Sequence, residues 1–405
     1  HSLADSETGQ RHNLPSIVII NQYGKMTPEA GKDFEGLSAK ETREKIVAKL
    51  KELGLLEKEE DYLNRVSVCY RCNAAIEPRP SVQWFLKMEE LAKKAIEPVT
   101  NGEIKFNDEK WEKVYLDWLK NVKDWCISRQ IWWGHKIPLD GVDDVLDTWF
   151  SSALWPFATL SWPSSDSKDL KEFYPTQVLS TARDIINLWV ARMIFSGIEF
   201  MGEKPFSQII IHPTILAKDG RRMSKSLGTG IDPLILIDKY GADAMRFGLI
   251  YQMMGTQDIK FDESHLLAGK KFANKIWNIA RFVLQQNANS KAISLSEGKN
   301  FSSEDKDIWE KLDQVIKSAG ENMDNYNFGQ ALHIIYDFVW HDFADKYIEY
   351  AKTKENEEVK NVLSAVLASA LKLLHPFMPF ITEEIWSMIP VKDKKMLIIE
   401  QWPKI

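Results

Sequence analysis

A short loop bounded by glycines contains the residues of this chain that are best suited to binding a polyanion. Between Gly220 and Gly228 the sequence reads GRRMSKSLG, which brings hydroxyl and cationic donors close together. Residues 218–226 hold four cationic side chains and one carboxylate, a formal charge of +3 in a chain whose net charge is −6. Asp232 and Pro233 follow as a helix N-cap and the favoured first helical residue. Because a helix N-terminus carries unpaired N–H groups and partial positive charge, this segment is suited to binding phosphate.

The alternative for this loop is a solvated basic surface segment without a ligand, and charge alone does not separate the two. Residues 222–226 (RMSKS), however, resemble the KMSKS signature of class I aminoacyl-tRNA synthetases. Arg222 stands in the place of the first lysine, which keeps the charge but replaces a compact ammonium by a planar guanidinium. The resemblance favours the phosphate-binding interpretation.

The same resemblance implies that the ligand is ATP, with Mg²⁺ neutralising its triphosphate. Lys225 matches the lysine that meets charge developing on the pyrophosphate while an amino-acid carboxylate attacks the α-phosphorus. Ser224 and Ser226 flank it and are assigned to the catalytic loop with it. The residues implied to bind ATP are Arg222, Met223, Lys225, His212 and Gly228. His212 would lie near the adenine, and Gly228 would let the backbone approach the nucleotide.

Three further strings resemble the valine-specific branch of this class. They cover residues 144–157, 180–193 and 240–248, and the polar series within 180–193 differs from that of the isoleucine enzymes. By this resemblance Asp184 holds ribose or amino-acid groups of the adenylate, and Trp189 forms part of the apolar wall around the valine side chain. The residue types alone leave two alternatives open, a helix-capping carboxylate and an ordinary core tryptophan.

Length and composition predict a globular protein of several domains. With 405 residues and 44% apolar content, the chain is too long for one ordinary core. The longest uncharged run, residues 148–165, holds two prolines and five serines, so we expect no membrane span. Three cysteines are too few for a disulfide framework and favour a reducing compartment, so we expect a cytoplasmic location. The negative net charge gives no hint of nucleic acid, and an RNA partner follows only from the resemblance.

Apolar periodicity and resemblance divide the chain into three predicted parts. Residues 1–66, with a helix expected from about Ser38, resemble the C-terminal part of the editing domain of valine, isoleucine and leucine enzymes. Residues 67–261 are predicted to form the second half of a Rossmann-like α/β nucleotide-binding domain, with a buried parallel strand over 208–212. Residues 262–405 have helical apolar spacing, which predicts an all-α bundle. This bundle resembles the anticodon-binding domain of the same enzymes.

Two sets of residues have informative spacings. Trp111, Trp118, Trp125 and Trp132 recur every seven residues, which on a helix makes a core stripe. Cys69 and Cys72 have the spacing of half a zinc site, but a structural site needs four ligands, usually two such pairs. The resemblance places the second pair ahead of the editing domain, so Zn²⁺ remains an open possibility. Cys126 is predicted to be a small buried apolar residue.

Two departures from the class bear on activity. The His-x-Gly-His signature of the first half of the nucleotide-binding fold does not occur here. We therefore expect the chain to be the C-terminal part of a longer enzyme, catalytically incomplete by itself. Ser2 stands where the editing motif usually has an aspartate, and Asp5 is a weak substitute for the missing charge. A valine pocket admits threonine at a level that requires editing.

For the intact protein the resemblance implies ATP-dependent ligation of valine to tRNA(Val) through valyl-adenylate, by a monomer. Two alternatives stay open, an isoleucine-specific enzyme and a tRNA-binding fragment or paralogue without catalysis. A generic P-loop enzyme is poorly supported, because no Gly-x4-Gly-Lys-Ser/Thr string is present.

Overall fold

The structure is a computed structural model, and the residues that it describes are 3–63, 65–69, 72–164, 166–223, 228–287, 301–354, 356–390 and 395–404. They form two compact units. The first unit comprises His1–Phe85 and Cys126–Arg129, and the second comprises Leu86–Trp125 and Gln130–Ile405. The domain boundaries predicted at residues 66 and 261 stay predictions.

The first unit is small and has little core. Its helices are α1 (Leu3–Arg11) and α2 (Ala39–Glu52). The Ser38 hydroxyl accepts a hydrogen bond from the backbone N–H of Glu41, whose carboxylate accepts one from the backbone N–H of Ser38. This capping box explains why the helix begins where the sequence predicts it. Ile20 and Met26 are buried and form an antiparallel bridge across a tight turn.

Short strands are interspersed with helices between residues 85 and 260. In chain order they are β1 (Phe85–Leu86), α3 (Glu89–Thr100), β2 (Lys105–Phe106), α4 (Glu109–Lys120), β3 (Trp125–Cys126), β4 (Ser128–Arg129), β5 (Val145–Leu146), α5 (Thr148–Ser152), α6 (Trp155–Ala158), α7 (Lys168–Phe173), β6 (Val178–Ala182), α8 (Ala191–Met201), β7 (Gln208–His212), β8 (Ile215–Leu216), α9 (Pro233–Tyr240), α10 (Ala242–Tyr251) and β9 (Ile259–Lys260). A 3₁₀-helix (Arg183–Ile185) and a π-helical turn (Ile186–Val190) connect β6 to α8.

A three-stranded parallel sheet forms the centre of the α/β part. Its order is β2–β7–β6, and β6 runs in register with β7 from Val178 opposite Gln208 to Ala182 opposite His212. The isoleucines of β7 are buried on both faces, as expected for a central parallel strand. Helices α3, α4 and α8 contribute to the same core, in which Tyr115 is fully buried. The predicted buried strand over 208–212 is confirmed.

A helical bundle follows, as the apolar spacing predicts. Its elements are α11 (Glu263–Gln286), α12 (Ser303–Asp324), α13 (Phe328–Asp337), a π-helix (Phe338–Tyr347), α14 (Ile348–Ala351), α15 (Glu357–Leu374) and α16 (Pro379–Met388). Asp262 caps α11 through the backbone N–H of Ser264. Among the described residues, no helix is both long and apolar enough to cross a membrane.

Two details of the predicted helices are wrong. Apolar residues from Phe328 to Tyr350 have the spacing of a regular α-helix, but residues 338–347 form a π-helix. The stripe itself is buried at Val339, Phe343 and Tyr347, and the additional buried residues are Phe338, Ala344 and Ile348.

The tryptophan stripe is the second error. Trp111 and Trp118 lie half-buried on α4, but this helix ends at Lys120, and Trp125 lies in a strand. Trp132 is 92% exposed. The seven-residue spacing therefore spans several elements and does not mark one helix face.

Close packing of α13 predicts an effect of substitution at Gly329. A Cβ at this position would overlap the carbonyl oxygen of Met253, which is backbone and cannot move aside cheaply. We expect Gly329→Ala to lower the free energy of unfolding by about 1–3 kcal/mol or more, as overpacking does. The control is Gly320→Ala, because a Cβ there would lie 3.4 Å from the Trp402 side chain. It should raise stability by about 0.5–1 kcal/mol through helix propensity. Urea unfolding measures both, and equal effects would contradict the packing argument.

A half-buried histidine in the bundle predicts a pH dependence of stability. His375 Nδ1 lies 2.8 Å from the Thr382 hydroxyl, which itself donates to the Met378 carbonyl. The buried Nε2 has no hydrogen-bond partner among the described residues, and the nearest Glu383 carboxylate oxygen is 3.9 Å away. Burial lowers the pKa of His375 from its ordinary value of 6.5, although Glu383 and Asp243 oppose this shift.

The sign of the effect follows from proton binding. Between the two pKa values the unfolded chain binds the proton and the folded chain does not, so stability falls as the pH drops through 6.5 toward the lower folded pKa. We expect His375→Asn, which retains a donor for Thr382, to lose less stability than the wild type between pH 7.5 and 5.5. The exposed His12→Asn serves as control. Parallel losses in wild type and His375→Asn would refute the prediction.

Candidate functional site

The candidate site lies at the carboxyl ends of β6 and β7. Because these strands are parallel, their ends meet at one edge of the sheet, where open α/β sheets bind ligands. Ala182 and His212 are register partners there, and Asp184 follows β6 within two residues. Two segments that the sequence places 28 residues apart are therefore neighbours. His212 is exposed, and its Nδ1 lies 3.0 Å from the carbonyl oxygen of Pro213.

A tight hairpin brings the start of the RMSKS segment to this edge. β8 pairs in parallel with β9, and Leu216 forms an antiparallel bridge with Arg222. The turn between them closes with two hydrogen bonds, from the Ala217 N–H to the Arg221 carbonyl and from the Gly220 N–H to the Ala217 carbonyl. Gly220 has φ +82°, a left-handed conformation that favours glycine.

Two ion pairs connect the residues that follow β6 with other segments, one with Arg222 of the loop and one with Asp258 just before β9. The Arg222 guanidinium donates to the Asp184 carboxylate. Next to it, Arg183 donates to Asp258 at 2.7 Å, and the same carboxylate accepts the N–H of Thr214 at 3.3 Å. The side chain of Asp184 thus pairs with the predicted ATP-binding loop instead of capping the 3₁₀-helix in which it lies.

Both flanks of the loop are fixed by ordinary packing and capping. The catalytic candidates Ser224, Lys225 and Ser226 lie outside the described residues. Met223 packs against a small core that contains Leu236 of α9. On the far side, Gly228 has φ +64°, and the Asp232 carboxylate caps α9 by accepting the Leu234 N–H at 2.9 Å. The predicted N-cap and first-turn proline are confirmed, so the N-terminus of α9 follows directly after the loop.

Trp189 lies on the π-helical turn that follows Asp184. Its indole is half-buried against the sheet core, and its Nε1 donates to the carbonyl oxygen of Ser152 at 2.8 Å. This hydrogen bond fixes the orientation of the Trp189 ring, which packing of an apolar side chain alone would not do. π-helical turns are frequent at functional sites because they displace side chains from the regular helix face.

Several polar groups beneath this turn were not found by sequence reasoning. Asp147, Arg192 and Trp125 form a buried cluster that contacts α5. Asn187 Oδ1 is buried without a hydrogen-bond partner among the described residues, a condition that in native structures calls for an explanation such as a ligand or water. The one feature of the sequence that could have indicated this buried polar group is Asn187, a single polar residue inside the apolar run 185–190.

A cavity of about 410 Å³ adjoins His212 on the side of β2. The residues that line it include Asn107, Thr256 and Tyr326. Asn107 Oδ1 accepts the backbone N–H of Ile211 at 3.0 Å, which ties the end of β2 to β7. No motif or spacing in the sequence groups these residues.

The two cysteines of the possible zinc site lie on a short hairpin of the first unit. The Cys69 N–H donates to Ala74, and its carbonyl accepts the Asn73 N–H, both at 2.9 Å. Cys69 is half-buried and Cys72 is exposed. Nowhere in the described part of the chain do three or more His, Cys, Asp or Glu side chains cluster as metal ligands. A structural zinc needs four ligands, so the described residues alone do not hold one.

The chain resembles known proteins along its whole length. Residues 4–140 and 138–262 match the family described as tRNA synthetases class I (I, L, M and V), and residues 305–405 match the anticodon-binding domain of tRNA ligase. Relatives named valine–tRNA ligase are 48% identical in Thermotoga maritima and 46% identical in Petrotoga mobilis, over the whole chain and half of each relative. The chain thus spans about half the length of the curated relatives it matches.

Solved structures agree on the fold. A Mycobacterium tuberculosis methionyl-tRNA synthetase in complex with methionyl-adenylate superposes with a TM-score of 0.68 at 19% identity, covering 82% of this chain and 67% of that one. This superposition supports the same overall fold for the part of the chain that it covers. On the match of more than half of its residues, the chain belongs to the class I tRNA synthetase family.

Proposed function

We propose that the intact protein activates valine with ATP and transfers it to tRNA(Val). The observation that carries the proposal is the contact of Arg222, within the RMSKS segment, with Asp184 at the end of β6. Arg222 thus lies beside the carboxyl edge of the sheet, and open α/β folds bind nucleotides at such an edge, which supports the proposal. The similarity of the whole chain to proteins named valine–tRNA ligase supports valine as the amino acid.

The proposed chemistry is positioning and charge stabilisation. An oxygen of the valine carboxylate forms a bond to the α-phosphorus of ATP, and the bond from this phosphorus to pyrophosphate breaks. Lys225, with Ser224 and Ser226, would meet the charge that develops on the leaving pyrophosphate. Arg222, Met223, His212 and Gly228 would hold the nucleotide, and Mg²⁺ bound to the triphosphate would offset its charge.

Asp184 and Trp189 have proposed roles toward the adenylate. Asp184 would exchange its partner Arg222 for ribose or amino-acid groups when substrate binds. Breaking the ion pair costs little free energy, because the pair is exposed and such pairs contribute about 0–1 kcal/mol to stability. Trp189 would form part of the wall around the valine side chain. A tRNA hydroxyl then attacks the carbonyl carbon of the adenylate, and AMP leaves.

The remaining parts of the proposal concern the setting of the reaction. The bundle that matches an anticodon-binding domain supports tRNA as the partner. We propose a cytoplasmic monomer, and the small number of cysteines, three in 405 residues, supports a reducing compartment. Zn²⁺ at Cys69 and Cys72 would require ligands beyond the described residues. Ser2 lies outside them as well, and Asp5 is exposed on α1, so editing is not part of the proposal.

The first test is amino-acid-dependent ATP–pyrophosphate exchange by the full-length protein. We expect exchange with valine and a loss of at least about 100-fold in Lys225→Ala, the scale of one preorganised donor. The matched control is Arg221→Ala, because Arg221 pairs with Asp219 inside the hairpin turn. It should change the rate less than about threefold.

The other outcomes separate the alternatives. Exchange with isoleucine but not valine would identify an isoleucine enzyme. A folded protein that exchanges with no aliphatic amino acid but binds tRNA would be a fragment or paralogue without catalysis.

A second test separates the stabilising and functional contributions of Asp184. Asp184→Asn should lower the free energy of unfolding by less than about 1 kcal/mol, because the pair with Arg222 is exposed. Valine-dependent exchange should nevertheless fall at least about tenfold, the effect of losing one charged hydrogen bond to substrate. Asp258→Asn, which removes the neighbouring pair with Arg183, is the control and should retain more exchange. Similar exchange rates in both variants would argue against a substrate role for Asp184.

A further inference from the structure

A buried ion pair lies beneath the candidate site. The side chains of Asp147 and Arg192 are 6% and 9% exposed, and Arg192 Nη1 lies 3.4 Å from Asp147 Oδ2. Removing two charges from water is costly, and apolar residues often replace such a pair without loss of stability. The presence of this pair therefore points to a role in geometry more than in stability.

The geometry of the pair is reinforced by Trp125. The Trp125 Nε1 donates to the same Asp147 Oδ2 at 3.0 Å. The Arg192 guanidinium carbon lies 3.6 Å from the centroid of the Trp125 ring, so the cation stacks on the indole face. One carboxylate oxygen thus accepts from two donors that also contact each other, which fixes the carboxylate in position.

The second oxygen of the Asp147 carboxylate caps α5. Asp147 is the N-cap of this helix, and its Oδ1 accepts the backbone N–H of Trp149 at 3.1 Å. A helix of five residues is too short to be stable alone, so its orientation depends on the contacts at its ends. The buried cluster supplies the contact at the N-terminal end.

The C-terminal end of α5 is held by the same neighbouring helix. Trp189 Nε1 donates to the carbonyl oxygen of Ser152, the last residue of α5. Trp189 and Arg192 are three residues apart on the continuous helical stretch 186–201, a spacing that places both on one side. Arg192, through Asp147, and Trp189 therefore hold the two ends of α5. We call this set of contacts the clasp.

We propose that Asp147 and Arg192 are positioning residues that set the indole of Trp189 through α5, and thereby the valine affinity of the site. The inference rests on the proposed function of Trp189 as part of the valine pocket. A side chain misplaced by about 1 Å costs about 100-fold in a reaction that depends on orientation. Disturbing the clasp changes recognition of valine, while the ATP loop has its own support from Met223, Gly228 and α9.

Steady-state exchange kinetics of the full-length protein test the proposal. Asp147→Asn keeps a single acceptor oxygen, which cannot serve both the Trp149 N–H and the two donors, and Arg192→Lys keeps the charge without the planar stacking group. We expect both variants to raise the KM for valine at least tenfold, with the KM for ATP changed less than threefold. Trp189→Phe, which keeps the apolar wall but loses the donor to Ser152, should have the same pattern.

A matched control removes an equally buried carboxylate elsewhere. Asp305 is 1% exposed, forms the capping box of α12 with Ser302, and accepts the Tyr347 hydroxyl at 2.5 Å. Asp305→Asn should lower the Tm as much as Asp147→Asn does and leave the KM for valine unchanged. An equal rise of the valine KM in this control would overturn the positioning role, because any destabilised variant would then behave alike.

Amide hydrogen exchange on the same full-length proteins tests the contacts at the two ends of α5 independently of enzymatic activity. The Trp149 amide should exchange at least tenfold faster in Asp147→Asn and Arg192→Lys, and at the wild-type rate in Asp305→Asn. An unchanged exchange rate of the Trp149 amide would refute the claim that Asp147 and Arg192 hold α5 in place. Faster exchange with an unchanged valine KM would overturn its role in recognition. Failure of the proposed function has a distinct signature, in which the wild type does not exchange pyrophosphate with valine while the Trp149 amide still responds. That result would also remove the role in valine binding.

Discussion

Parallel pairing of β6 with β7 is the constraint on which the candidate site depends. The register that sets Ala182 opposite His212 carries Asp184 and the hairpin after β7 to the same edge. Ile209, Ile210 and Ile211 of β7 are buried, and a slip of one residue would be costly because it would move the polar Gln208 or His212 into a buried position. The contacts of Arg222 with Asp184 and of Arg183 with Asp258 are possible only with the strand ends in this alignment.

Strong and weak interactions are distributed unequally around this edge. The buried pair of Asp147 and Arg192 is desolvated and stacked on Trp125, so it is suited to holding one arrangement. The pair of Arg222 and Asp184 is exposed and contributes little to stability, so it is suited to exchanging partners when an anion arrives. A buried ion pair that holds one geometry, beneath an exposed ion pair that can exchange partners, is an arrangement suited to binding a charged substrate.

Much of the fold could be predicted because its signals are local. The Asp232–Pro233 helix start, the helix start near Ser38, the buried strand over 208–212 and the helical spacing after residue 262 each depend on neighbouring residues, and the structure has all four. The tryptophan stripe failed because a seven-residue period carries meaning only while one helix continues, and α4 ends at Lys120. The π-helix was missed because its wider turn depends on how the bundle packs.

By itself the sequence determined the family, the basic loop proposed to bind an anion and the candidates Asp184, Trp189 and His212, since residue type and short spacing decide these. Only the tertiary structure decided which residues meet. The partners Arg222 and Asp184 are separated by 38 positions, and Arg192 and Asp147 by 45. Local periodicity holds no information about such pairs, because the intervening strands and helices set the distance. The support beneath the site, from Asp147 to Trp189, therefore became visible only in the folded chain.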